Sequence, residues 1–181
     1  MDPNSFSLLF AAFLLVTLGV KLWLSSRHIR YVANHRDAVP AQFAQKIPLA
    51  AHQKAADYTI AKTQLKLVLL VVNALVLLGF TLLGGLQWLS TTLGELAGPS
   101  MVYQIALIAA VSAIASIIDL PFDYYKQFAL EEKFGFNKMT PGLFFSDLIK
   151  QTLVGAAIGL PLIWVTLTVM EKAGAYWWLY A

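Results

Sequence analysis

Four long apolar stretches, separated by segments that carry nearly all the charge, dominate the chain. The first runs from about Phe6 to Leu24, and a helix of about 20 residues is what a hydrocarbon core roughly 30 Å thick requires. The second, about Leu65 to Leu89, and the third, about Pro99 to Ile118, flank the short stretch Ser90 to Gly98 and predict a helical hairpin. The fourth runs from about Leu148 to Met170. Tyr176-Trp177-Trp178-Leu179-Tyr180 then has the character of an aromatic interfacial belt that opens a fifth span. The pattern predicts an all-α fold, a polytopic transmembrane bundle forming a single membrane domain over residues 1–181. Its spans cover 6–24, 65–89, 99–118 and 148–170, with a fifth beginning near 175. A span begun and not completed leads us to expect a piece of a longer protein.

Composition supports the same solvent. The chain is 59% hydrophobic and 13% charged with a mean hydropathy of +0.67, whereas soluble domains carry about 25% charged residues. The absence of cysteine excludes a disulfide framework and any Cys-based zinc or redox site. A net charge of +3 would suit nucleic acid, but the basic residues flank apolar runs, where membrane orientation explains them; no nucleic-acid partner is expected. Met1 to Ser5 contain no basic residue and no small-x-small site follows the first run, so that run is read as a retained helix. Lys21, near its end, can snorkel to the head groups.

Cytoplasmic loops are enriched in Lys and Arg. The loop at about 25–64 holds Arg27, Arg30, Arg36, Lys46, Lys54 and Lys62, and the loop at about 119–147 holds Lys126, Lys133 and Lys138. Both are expected to be cytoplasmic, with the amino terminus outside. Within the spans, Gly155-x-x-x-Gly159, Ala109-x-x-x-Ala113 and Ser112-x-x-x-Ser116 set small residues one turn apart, a pattern that lets helices of one bundle approach closely. Asn73 is the amide deepest in a span and reads as one end of an interhelical hydrogen bond, with cavity lining as the alternative. Pro161 should kink the fourth span.

The candidates for chemistry lie in the two basic loops. His28, His35 and His52 are the only histidines, and none has the i, i+4 spacing around a Glu that a helical zinc protease uses. Leu49 to Lys66 contain no helix breaker, so a helix should continue into span two. In the second loop Pro121 suits the first turn of a short helix and Gly135 the position just past its end. Phe122, Tyr125, Phe128 and Ala129 recur on one face between them, as an interfacial amphipathic helix requires. Thr140-Pro141 reads as cap and first position of the next helix. Glu131 and Glu132 are adjacent, so they point to different sides and cannot form a facing acid–base dyad.

Asp119-Leu-Pro121, Tyr124, Tyr125, Phe128 and the run Glu131-Glu132-Lys133-Phe134-Gly135-Phe136-Asn137-Lys138-Met139-Thr140, followed by Asp147 and Lys150, resemble the signature of the N-terminal membrane domain of the CAAX prenyl protease type I family. The likeness extends upstream to Arg36, Val39-Pro40 and His52-x-x-Ala55-Ala56-Asp57-Tyr58-Thr59. These are membrane-integral zinc metallopeptidases that act on prenylated peptides or, in bacterial relatives, on membrane proteins. The resemblance implies a helical scaffold around a chamber, with Glu131, Glu132, Gly135, Phe136, Asn137 and Thr140 near the active site. It also implies a bacterial inner-membrane location. The zinc ligands of the family come from a His-Glu-x-x-His helix and a later Glu, and this sequence contains no His-Glu-x-x-His. No catalytic or metal residue carries over, and the zinc is expected in a downstream catalytic part. The expected partners are the bilayer, that catalytic domain, and a peptide or membrane-protein substrate. Two further readings are a stand-alone membrane interaction protein and, more weakly, a small transporter, for which no mid-membrane carboxylate speaks.

Overall fold

The computed structural model describes residues 2–174 and 178. It consists of α1 (Pro3–Asn34), α2 (Leu49–Thr81), α3 (Gly85–Ala97), α4 (Met101–Tyr125), a π-helical segment (Lys126–Glu131) that continues α4, and α5 (Pro141–Ala173). No strand occurs among the described residues. Among the described residues, four helices are long and apolar enough to cross a membrane: Asn4–Asn34, Leu49–Thr81, Met101–Glu131 and Pro141–Ala173. The expected fifth span, near 175, lies outside the described residues apart from Trp178.

Each of these helices outlasts the apolar run that predicts it. At 33 residues, α2 is about 50 Å long, well beyond a core of roughly 30 Å. Nothing at the hydrocarbon boundary ends a helix, because leaving lipid does not break i→i−4 bonds. Arg27, His28 and Arg30 are therefore helical, and α5 begins at Pro141 rather than near 148. As expected, α2 starts at Leu49 and runs unbroken into the second apolar run.

The second run behaves differently. α2 stops at Thr81, Leu82 to Gly84 form a break with Gly84 at φ +80°, and α3 follows. The expected turn at Ser90–Gly98 is mostly the second half of α3, and only Gly98, at φ +63°, retains a turn conformation. The apolar count hid this because Leu86, Trp88 and Leu89 continue the hydrophobic signal past Gly84. Similarly, the amphipathic stretch from Pro121 is helical, but it is the end of a long helix, with Pro121 inside α4 instead of at its first turn.

The chain forms two compact units, Met1–Gly85 with Ile117–Asn137, and Leu86–Ser116 with Lys138–Ala181. In the first, α2 packs against α1 and against the π-helical segment, and Ala56, Ala74, Leu130 and Phe134 are buried. In the second, Ser100 caps α4 by accepting from the Tyr103 N–H at 3.3 Å, and Leu89 is buried. Most large apolar side chains stay exposed, as in Phe13 at 68% and Ile158 at 60%, which fits a lipid solvent. Gly155 and Gly159 share that exposure: a Cβ added to either would meet nothing within 4 Å. Among the described residues no other helix comes that close to either glycine. α5 runs through Pro161 without interruption.

Local signals hold at the two ends of the second loop. Gly135 has φ +70°, the Phe136 N–H reaches the Glu131 carbonyl at 2.8 Å, and the Gly135 N–H reaches that of Glu132 at 2.9 Å. This pair of bonds is a Schellman closure, which needs a left-handed residue at Gly135. Thr140 accepts from the Leu143 N–H at 3.3 Å and caps α5, with Pro141 at its first position. Among the described residues, a new Cβ at Gly135 would have only Lys54 Nζ nearby, at 3.8 Å, so substitution there meets space but not a permitted backbone. Gly135→Ala should destabilise the fold by about 1 kcal/mol, and Gly135→Val by more. Thermal melting of both variants checks this, and midpoints equal to the parent's would remove the left-handed closure as a constraint.

Candidate functional site

The polar side chains of the first unit collect where the end of α1, the first turns of α2 and the end of α4 approach one another. Arg36 follows α1, and its guanidinium grips Asp57 of α2 with two bonds, Nε to Oδ1 at 2.7 Å and Nη2 to Oδ2 at 2.9 Å. Its Nη1 donates to Asp37 Oδ1 at 3.0 Å, which also accepts from Gln53 Nε2 at 2.9 Å. Donating to the Asp57 carboxylate raises the Arg36 pKa further above its already high ordinary value. The fork-to-carboxylate geometry fixes the chain's exit from α1, although both partners remain partly exposed and the attraction is screened by salt.

Tyr58, one residue on, reaches the other side of the site. Its hydroxyl donates to Glu131 Oε1 at 2.6 Å and accepts from Lys62 Nζ at 3.3 Å. Its ring meets Phe134 and Phe136 edge to face, with centroids 5.4 and 5.0 Å apart. Lys54 lies over the Phe136 ring at 5.3 Å and Lys133 over Phe134 at 5.7 Å. Phe136 can be there only because the Gly135 turn sends the chain back toward α2. Beyond it, Gln127 Nε2 donates to Asn137 Oδ1 at 2.6 Å and Asn137 Nδ2 to Glu132 Oε2 at 2.8 Å. Glu131 and Glu132 thus have separate partners, as adjacency on a helix dictates.

Beside this cluster, between α2 and the end of α4, lies an open cavity of about 600 Å³. Leu65, Val68, Pro121, Phe122 and Leu130 give it an apolar wall, and Gln64, Tyr125 and Lys133 bring polar groups to it. The π-helical segment forms part of this wall, and such wide turns are frequent at functional sites. The arrangement can hold a peptide or lipid-like group by apolar contact and fixed charge. It does not fit zinc. The His35 Nδ1 and His52 Nε2 nitrogens face the carbonyls of Tyr31 and His35 at 2.8 and 2.9 Å, and no three His, Asp or Glu converge among the described residues.

Of the residues singled out in the sequence, Glu131, Glu132, Gly135, Phe136 and Asn137 come together here, while Thr140 serves as the α5 cap. Asn73 is exposed, and its side chain has no hydrogen-bond partner among the described residues. The contacts that sequence reasoning missed are those of Tyr58 with Glu131 and of Arg36 with Asp57. The available signal was the opposite charge of Arg36 and Asp57 on either side of a Pro-punctuated loop.

The family model described as CAAX prenyl protease N-terminal, five membrane helices, matches residues 28–181. The chain belongs to this family. Within the CAAX prenyl proteases, a homologue of CAAX prenyl protease 1 from Caenorhabditis elegans is 32% identical over 180 residues, covering 96% of this chain and 39% of the relative. One from Dictyostelium discoideum is 31% identical, covering 93% and 41%. CAAX prenyl protease 1 of Saccharomyces cerevisiae is 25% identical, covering 94% and 40%. The chain therefore spans about two fifths of the length of these curated relatives. The crystal structure of S. mikatae Ste24p superposes with a TM-score of 0.89 over 99% of this chain and 42% of that one, at 24% identity, which establishes a shared fold.

In this CAAX prenyl protease family member, Tyr58→Phe should cost about 1 kcal/mol, because it leaves Glu131 without its donor, and Lys62→Met should cost less. Thermal unfolding in one detergent compares them, and equal losses would show that the Glu131 bond is not the dominant one. Arg36→Ala and Asp57→Ala should each increase proteolysis within residues 37–48, and the charge swap Arg36→Asp with Asp57→Arg should partly restore protection. A swap as sensitive as the singles would refute the pairing.

Proposed function

We propose that this chain is the non-catalytic membrane domain of a zinc metalloendopeptidase of the CAAX prenyl protease type, building the helical scaffold of its chamber. The observation that carries the reading is the family match over residues 28–181 in a chain whose described residues bring no three metal-binding side chains together. On this reading, zinc binding and hydrolysis belong to the part of such proteases that these residues do not span. The substrates are prenylated C-terminal peptides or membrane proteins.

The amino terminus faces outward, and the loops at 25–64 and 119–147 face the cytoplasm. The basic residues of both loops support that orientation, since cytoplasmic flanks are enriched in Lys and Arg. The Glu131–Asn137 run, held on Tyr58, then stands at the cytoplasmic mouth, where its fixed shape serves to seat the catalytic part. A zinc site able to activate water needs about three protein ligands and an open position, and the histidines here do not supply them.

The purified chain should hold zinc below stoichiometry and leave a prenylated peptide uncut. A chimera in which it replaces the matching part of the C. elegans relative should cleave that peptide. Tight stoichiometric zinc with turnover by the chain alone would overturn the proposal, as would an inserted, folded chimera without activity.

A further inference from the structure

At 13 residues, α3 is about 20 Å long, too short to cross a hydrocarbon core of roughly 30 Å. Yet it joins two helices that are long enough. Three residues, Leu82 to Gly84, separate it from α2, and three more, Gly98 to Ser100, from α4. Each linker takes four extended steps between helix ends and reaches at most about 14 Å, so α3 is confined to the membrane face at which α2 ends and α4 begins.

Its side chains fall into three parallel groups. One faces α4: Leu89 is buried, Ser90 is hydrogen-bonded to the Tyr103 hydroxyl, and a Cβ added to Gly94 would lie 3.8 Å from the Tyr103 ring. A second, Gln87, Thr91 and Glu95, is polar and one turn apart. The third, Trp88, Thr92 and Leu96, lies between them, with Trp88 68% and Leu96 80% exposed. The Thr92 hydroxyl in that stripe donates to the Trp88 carbonyl at 2.9 Å, so it brings no unpaired donor. A helix with one side on protein, one polar side and one apolar aromatic side is shaped for a boundary between water and lipid. Charge selects the lipid: no Lys, Arg or His occurs between Lys66 and Lys126, α3 carries Glu95, and at the neighbouring end of α5 Lys172 is offset by the adjacent Glu171.

We infer that α3 lies flat on an electrically neutral, zwitterionic lipid surface, with the Trp88–Leu96 stripe at the acyl boundary and the Gln87–Glu95 stripe in water. Such helices sit about 5–10 Å into the interface, a level Trp favours. Through Ser90 and Tyr103, this contact fixes the depth at which α4 enters the membrane. The inference is independent of the protease reading.

The cysteine-free sequence permits single nitroxide labels at Leu96→Cys and Thr91→Cys in the chain reconstituted in phosphatidylcholine vesicles. The ratio of collisions with oxygen to collisions with a water-soluble nickel chelate should be several-fold higher at 96 than at 91, and unchanged when anionic lipid is added. As a second measurement, Trp88 is kept as the one tryptophan and its quenching compared between lipids brominated near the glycerol and near the methyl end; the shallow bromines should quench more. Water-like ratios at both positions would overturn the inference. So would shielding of 96 from both reagents, tighter seating on anionic lipid, or a Trp88 quenched by iodide and not by brominated lipid.

Discussion

Hydrocarbon offers no hydrogen-bond partner, and that constraint orders the rest of this structure. Backbone groups at membrane depth are satisfied only inside helices, and six hydroxyls of the spans are satisfied in the same way. Thr81, Ser112, Ser116, Thr152, Thr166 and Thr168 each donate to the carbonyl four residues back, at 2.6 to 2.9 Å. Each helix is thereby complete on its own, and its outer face can remain apolar and exposed. Specific attachment of one helix to another is left to the places where the chain emerges from lipid.

At the basic end of the first unit that attachment rests on a local conformation. Tyr58 and Glu131 are 73 positions apart, and the aromatic contacts that accompany their bond depend on the reversal at Gly135. A residue chosen for its backbone thus governs contacts made by side chains far away in sequence. The neighbouring Arg36–Asp57 pair does the corresponding work for the exit of α1, through charge instead of backbone geometry.

The same division between local and distant causes separates what was legible in the sequence from what was not. The number and kind of spans were legible because a fold in water seldom accommodates apolar runs of membrane length. Gly135 and Thr140 were legible because cap chemistry is local. The lengths of α1, α2 and α5 were not, since helical hydrogen bonding continues after the apolar signal ends. The break before α3 was masked by leucines on both sides of Gly84-Gly85. Pro121 misled because a helix initiator and a tolerated interior proline look the same without their surroundings. The bonds of Tyr58 and Arg36 were invisible for a simpler reason, that they are properties of two distant segments. Asn73, Gly155 and Gly159 carried plausible local chemistry, but the described residues place no partner beside them.

The π-helical segment has a last consequence. A wider turn delays the angular advance of every residue after it, by about 100° for each residue it holds beyond an α-turn. Removing one residue between Lys126 and Glu131 would let the helix relax to ordinary pitch and would swing Glu131, Phe134 and the closing turn around the helix axis together. The segment therefore acts as a phase shifter. It sets the azimuth at which the whole Glu131–Asn137 run is presented, so the number of residues here constrains the site alongside their identity.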